Sequence, residues 1–238
     1  MNNRNQMVSM EYFDTLSDAY VETIVQSQKQ IYRNVNPVLT RRVNGRVLSL
    51  GSGPVMNFAD THTERVVCLD LSWNMLRRLP RRQHVHPVCA DAQHLPFADA
   101  QFDFVVVPFL IHHMGMDTPA DTDSAVSLML KDIRRVLRRK GRLLIVDLFL
   151  PPILEVMLRS LYATAALLLN RTGRPMMHFY SVENFRELLR GVELNLDYDQ
   201  KVGMNEKIMP TLLVPQFKVP ASWHPARFHI IEATKIIT

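Results

Sequence analysis

Through the first two thirds of the chain, apolar runs of about five residues alternate with stretches of helical spacing, the pattern of parallel β-α-β units. The strand candidates are 46–50, 65–70, 86–89, 102–109 and 142–148. Each is short and apolar, with polar or turn residues at both ends, as strands covered on both faces should be. Between them, 74–79 and 124–139 carry helical spacing. In the second, Leu128, Ile133, Val136 and Leu137 fall on one face and Lys140-Gly141 supplies the stop.

The last third changes character. Residues 154–169 are apolar nearly all round, with Arg159 the charge that stands out, so this helix must be buried or must cover something. Core, dimer interface and substrate cover are its three uses. Residues 181–190 open with Ser181 and Asn184 in a capping-box arrangement and read as a short amphipathic helix. Two closing strands follow at 192–198 and 227–234. Between them Pro210, Pro215, Pro220 and Pro225 forbid a regular helix or central strand, which predicts a long ordered loop.

Length and composition narrow the class. The 238 residues suit one domain, and 47% hydrophobic with 21% charged residues provide for a full core. No apolar run reaches the roughly 18 residues of a membrane span, and the N-terminus lacks a secretory apolar region, so a cytoplasmic protein without membrane insertion is expected. Cys68 and Cys89 lie in apolar runs and read as reduced core residues. The net charge of +5 is too mild to argue for nucleic acid. Two basic clusters, Arg77 to Arg82 and Arg134 to Lys140, lack interleaved aromatics and read as solvated faces.

Chemistry concentrates after the first strand. Gly51-Ser52-Gly53-Pro54 forms a tight turn leading into a helical-looking stretch, where glycines admit a close ligand and free N–H groups favour polar or anionic atoms. Asp70, nineteen residues past Gly51, ends the second strand, where a carboxylate can accept from both hydroxyls of a ribose. Asp91 follows the third strand at the same carboxyl edge. The ordinary alternatives are a strand-to-helix turn for the glycines, a helix cap for Asp70 (a task Ser72 can also perform) and a turn former for Asp91.

On Val47-Leu48-Ser49-Leu50-Gly51-Ser52-Gly53-Pro54, Cys68-Leu69-Asp70-Leu71-Ser72, Ala90-Asp91-Ala92-Gln93-His94-Leu95-Pro96-Phe97, Phe102-Asp103-Phe104-Val105-Val106 and the run from Ile133 through Gly141, the chain resembles class I S-adenosylmethionine-dependent methyltransferases, and is similar to their quinone-biosynthesis branch. The resemblance implies an α/β fold: a doubly wound, Rossmann-like sheet of seven strands with the last antiparallel. It implies one domain over 1–238, with 1–40 covering the cofactor and 151–225 supplying substrate-side insertions. It implies S-adenosylmethionine as cofactor, with Asp70 at the ribose, Leu71 beside it, Asp91 and Ala92 at the adenine, and Gly51, Ser52 and Gly53 at the methionyl end. Tyr20, in the segment Tyr12 to Tyr20, would sit near the methionyl carboxylate. Two positions depart from the family pattern: Ser49 stands where an acid is usual, and Val55 where a third glycine is usual. The acid ordinarily helps hold the ammonium group, so Ser49 should weaken that contact.

His112 and His113 follow the fourth strand, where the substrate of such enzymes meets the methyl, and either could act as a general base with a pKa near neutrality. The ordinary alternative is a hydrogen bond to a loop carbonyl. His178 is a third candidate, and the histidines lack a partner at metal-ligand spacing. Methyl transfer to a small, largely apolar acceptor is therefore expected, with a homodimer as the partner state. The other readings are a cyclase that uses the cofactor structurally and a non-catalytic partner of an active paralogue.

Overall fold

The computed structural model describes residues 4–20, 29–171, 175–203, 208–210, 218–220 and 223–236. Two helices, α1 (Arg4–Tyr20) and α2 (Lys29–Arg42), precede β1 (Gly45–Leu50), β2 (Thr63–Asp70), the one-turn α3 (Trp73–Leu76), β3 (Val85–Cys89) and β4 (Phe102–Pro108). A 3-10 turn, Ile111–His113, leads to α4 (Pro119–Val136), β5 (Leu137–Phe149), α5 (Pro152–Ser160), α6 (Tyr162–Arg171) and α7 (Val182–Gly191). The chain closes with β6 (Leu194–Lys201), β7 (Ile208–Pro210), β8 (Lys218–Pro220) and β9 (Arg227–Lys235).

Seven strands form one sheet in the order β3-β2-β1-β4-β5-β9-β6. β1 to β5 run parallel, and β9 lies antiparallel between β5 and β6, the doubly wound arrangement expected. The order reverses between β1 and β4, so the crevice beyond their carboxyl ends is the place where such sheets bind ligands. One face is sealed by Val126, Met129, Leu130 and Ile133 of α4 with Phe185 and Leu189 of α7. The other is sealed by Ile31, Val35 and Leu39 of α2 with Leu76 and Leu79. Among the described residues no helix is long and apolar enough to cross a membrane.

Several expectations are corrected. No helix follows the glycine turn: residues 51–62 run as turns and bends directly into β2, and α2, from before β1, covers that face instead. α4 begins at Pro119, because Thr118 caps it by accepting from Asp121 N and proline suits the first helical position. It ends at Val136 rather than Arg139, since Leu137 turns extended and pairs with Phe102. The buried stripe of α4 is Ala125, Val126, Met129, Leu130, Ile133 and Val136, while Leu128 is exposed. The apolar segment 154–169 divides into two helices around Leu161. β7 and β8 pair across the proline-spaced stretch, where a loop was expected; an isolated two-stranded ribbon leaves outward N–H positions that proline can occupy. Ser181 caps α7 by accepting from Asn184 N, as its pattern predicts.

The edges also differ from a fully covered sheet. β3 is an edge strand, so Cys89 is exposed, and only Cys68 is a core residue, its thiol pushed up to about 12 by burial. Three members of the second basic cluster are tied to the chain's own acids: Arg135 bonds Asp132, Asp99 and two loop carbonyls, Arg138 bonds Asp103 and Arg134 bonds Glu193, while Arg139 and Lys140 are exposed.

Candidate functional site

A cavity opens at the switch point, with about 940 Å³ of empty space that is partly continuous with solvent. Gly51 and Gly53 form one wall; Asp70 ends β2, with Leu71 and Ser72 after it; Ala90, Asp91, Ala92 and Gln93 follow β3; and Phe109, Leu110 and 113–116, after β4, form the far side. Ser9, Met10 and Phe13 of α1 close over it. The remaining wall is apolar, from Leu69, Met75, Leu110, Met114 and Met116.

Gly51 is required twice over. Its φ of +61° is left-handed, and a Cβ there would lie 2.8 Å from Leu110. Gly53 shares the positive φ, at +55°. Asp70 holds the turn: one carboxylate oxygen accepts from Gly53 N and the other from Ser72 N, both at 2.9 Å. Ser72 supplies the cap of α3, accepting from Met75 N, so Asp70 is not the cap. The hydroxyl of Ser72 also donates to Asp14 of α1, which ties that helix to the cavity. Burial pushes the Asp70 carboxyl up, and Asp14 adds to the effect. Asp91 accepts from Gln93 N at 2.9 Å, so it forms a turn and lines the cavity at once.

Other expected residues stand elsewhere. Ser49, near the end of β1, and Ser52, within the glycine turn, are buried outside the cavity lining; the Ser49 hydroxyl meets no hydrogen-bond partner, and that of Ser52 faces the Cys68 thiol. Tyr20 ends α1, and its side chain lies outside the described residues. His113 lines the cavity, with Phe13 edge-on to its ring at 4.8 Å. Burial, reinforced by His112, holds its pKa well below the ordinary value, so the expected near-neutral base is not what this environment makes. His112 lies behind it, with Nδ1 2.5 Å from Asp147 of β5. His178 donates its N–H to the His112 carbonyl, and burial followed by Arg159 pushes its imidazole down to about 4.

A second polar cluster lies beyond residues 176–180. Arg159 of α5 pairs with Asp123 at 2.6 Å and with Glu155 at 3.6 Å. Glu155 is fully buried and accepts from Ser181 N at 2.7 Å, and Tyr180 donates to Asp123 at 2.9 Å. Among the described residues none of α5 or α6 lines the cavity, but Tyr162 of α6 donates to the Met116 carbonyl and so braces its rim. Gly115 allows that packing, because a Cβ there would lie 2.3 Å from the Met176 carbonyl.

Sequence reasoning passed over Asp147, Asp14, Asp123 and Glu155. Asp147 had a usable signal, an acid interrupting the apolar run 143–149 near the carboxyl edge of the sheet. Asp14 and Asp123 lie in polar helix segments and had none.

A family model described as a methyltransferase domain matches residues 48–145. The chain is 30% identical, over 151 residues, to the ubiquinone/menaquinone biosynthesis C-methyltransferase UbiE of Haemophilus ducreyi; the match covers 60% of this chain and 54% of that protein. It thus spans about half the length of that curated relative. Its fold is similar to that of the Burkholderia thailandensis 1,6-didemethyltoxoflavin-N1-methyltransferase, solved with 1,6-didemethyltoxoflavin and S-adenosylhomocysteine: TM-score 0.63, 17% identity, covering 100% of this chain and 92% of that one. A Haloferax volcanii methyltransferase solved with its Trm112 activator matches with TM-score 0.60 and 15% identity, covering 99% of each chain. Strand order and switch-point cavity are those of the Rossmann-like methyltransferase fold, and the methyltransferase-domain match lies within that sheet. In sequence the chain is similar to the ubiquinone/menaquinone biosynthesis C-methyltransferases.

Proposed function

We propose that the protein transfers a methyl group from S-adenosylmethionine to a small, largely apolar acceptor. The observation that carries this reading is one cavity at the switch point with Gly51, Gly53, Asp70 and Asp91 along one side and a largely apolar remainder that His113 interrupts. The adenosine end of the cofactor fits these residues: Asp70 keeps lone pairs beyond its two backbone contacts for a ribose, and Asp91 with Ala92 borders the adenine position. The methionyl end fits with a difference, since Ser49 is buried in β1 and the acids among the lining residues are Asp70 and Asp91.

When bound, the cofactor supplies a methyl group on a sulfonium, already a good leaving group. The chain's own residues have to orient and exclude water, a proximity effect worth several kcal/mol. Phe13 and Met10 of α1 shield the cavity, Leu110 and Gly51 set its floor, and the methionines give an adaptable wall for an apolar acceptor. On this reading the protein works as one domain, with residues 1–40 as the cover of the cofactor and 151–225 as the acceptor-side elements, in the cytoplasm. A second reading is a non-catalytic partner of an active paralogue. The unpaired hydroxyl of Ser49 and the missing helix after the turn favour it.

The test is S-adenosylhomocysteine release with a panel of apolar acceptors, after calorimetry with S-adenosylmethionine. Binding followed by turnover supports the enzyme. Binding without turnover favours a structural role for the cofactor, and no binding at millimolar concentration favours the partner subunit.

A further inference from the structure

The turn Ile111–His113 carries two histidines in opposite situations. Asp147 is 1% exposed and accepts from Ile111 N and Leu148 N, both at 2.7 Å, besides facing His112 Nδ1. A carboxylate only accepts, so the His112 proton sits on Nδ1. Phe179 stacks on that ring at 5.8 Å and 11°, and His178 N holds its carbonyl at 3.0 Å. His112 is thereby locked in position and in tautomer.

His113 packs against it, ring centroids 3.9 Å apart. Its Nδ1 is buried and meets no hydrogen-bond partner, while its ring lines the cavity. A neutral imidazole has one N–H and one lone pair. With the proton on Nδ1, a buried donor would be orphaned and a lone pair turned to the cavity. With the proton on Nε2, only a lone pair is orphaned and a donor faces the cavity. Orphaned buried N–H groups are the rarer defect, so the second arrangement is favoured. Protonating both nitrogens would orphan the same N–H and bury a charge, and that burial, with His112 beside it, is what holds the His113 pKa down.

We infer that His113 donates a hydrogen bond through Nε2–H to an oxygen of the molecule in the cavity, and that Asp147 and His112 are the positioning pair that holds it there. Resting on the methyltransferase reading, this deepens it by naming the acceptor class: an apolar molecule with a hydrogen-bond-accepting oxygen, carbonyl or phenolate, near the methylated atom. An acceptor that must surrender its proton to His113 is the wrong class.

Long-range 1H–15N spectra of the labelled full chain, with and without S-adenosylhomocysteine, read the tautomers directly. A protonated Nε2 and bare Nδ1 on His113, with the reverse on His112, is the expected result. A proton on His113 Nδ1, alone or with Nε2, overturns the inference. Binding of 1-tetralone, with tetralin as the carbonyl-free control, tests the acceptor class: the wild type should prefer the ketone about tenfold. His113→Gln, which keeps a donor, should retain that preference, and His113→Leu should lose it. Asp147→Asn should reduce it without weakening tetralin. No preference in the wild type, an unchanged one in His113→Leu, or equal loss in both His113 variants overturns the assignment. Failure to bind S-adenosylhomocysteine sinks the methyltransferase reading instead, and the spectrum of the free protein still decides the tautomer.

Discussion

The two polar clusters on either side of residues 176–180 use their hydrogen-bonding capacity differently. Around Arg159, two carboxylates, a tyrosine and a backbone N–H tie α4, α5 and the start of α7 together, and the one carboxylate oxygen left without a hydrogen bond, Glu155 Oε1, still faces the Arg159 cation at 3.6 Å. Around Asp147, one carboxylate takes three donors, yet the neighbouring His113 keeps a nitrogen with no partner beside a cavity. The orphan of the first cluster is offset by a cation, whereas that of the second lies beside a cavity, where an unpaired polar group has a physical reason to persist. Damage to the first should register in folding, and damage near the second in binding.

The largest expected effect is from Arg159→Met, which leaves Glu155 buried without its cation. It should cost about 3–5 kcal/mol in denaturant unfolding and leave S-adenosylhomocysteine affinity unchanged. Next comes Asp70→Ala, which removes the proposed ribose acceptor and the clamp on Gly53; calorimetry should show an affinity loss of about 3 kcal/mol. Unchanged affinity would remove Asp70 from the site.

His178 offers a sharper division by pH. Its folded pKa, about 4, lies below the ordinary value, so the unfolded chain binds the proton more readily between about 6.5 and 4. Its contribution is present above that window and lost as pH falls through it, about 3–4 kcal/mol in all. In His178→Phe this part of the acid slope in unfolding free energy should vanish; an identical slope would refute the assignment. The smallest effect is expected from Ser49→Ala, which deletes an unpaired buried hydroxyl outside the cavity lining. Stability and cofactor affinity should each move by less than about 0.5 kcal/mol, and a tenfold affinity loss would restore Ser49 to the site.

Periodicity and local chemistry by themselves determined the parallel strands, the glycine turn, the cap at Ser181 and the acids at the ends of β2 and β3. These are legible because alternation, φ preference and capping act over a few neighbouring residues. The same locality explains the errors: a glycine turn before Pro54 looks the same whether a helix or a loop follows, and only the covering of that face by α2 left the helix dispensable. Asp147 and His112 are 35 residues apart, and Arg159 and Asp123 are 36 apart. Which charges meet, which histidine is locked and which keeps a free nitrogen depended on strands and helices being brought together across such distances. Tertiary structure alone decided that, because a buried polar group is defined by what surrounds it rather than by its neighbours along the chain.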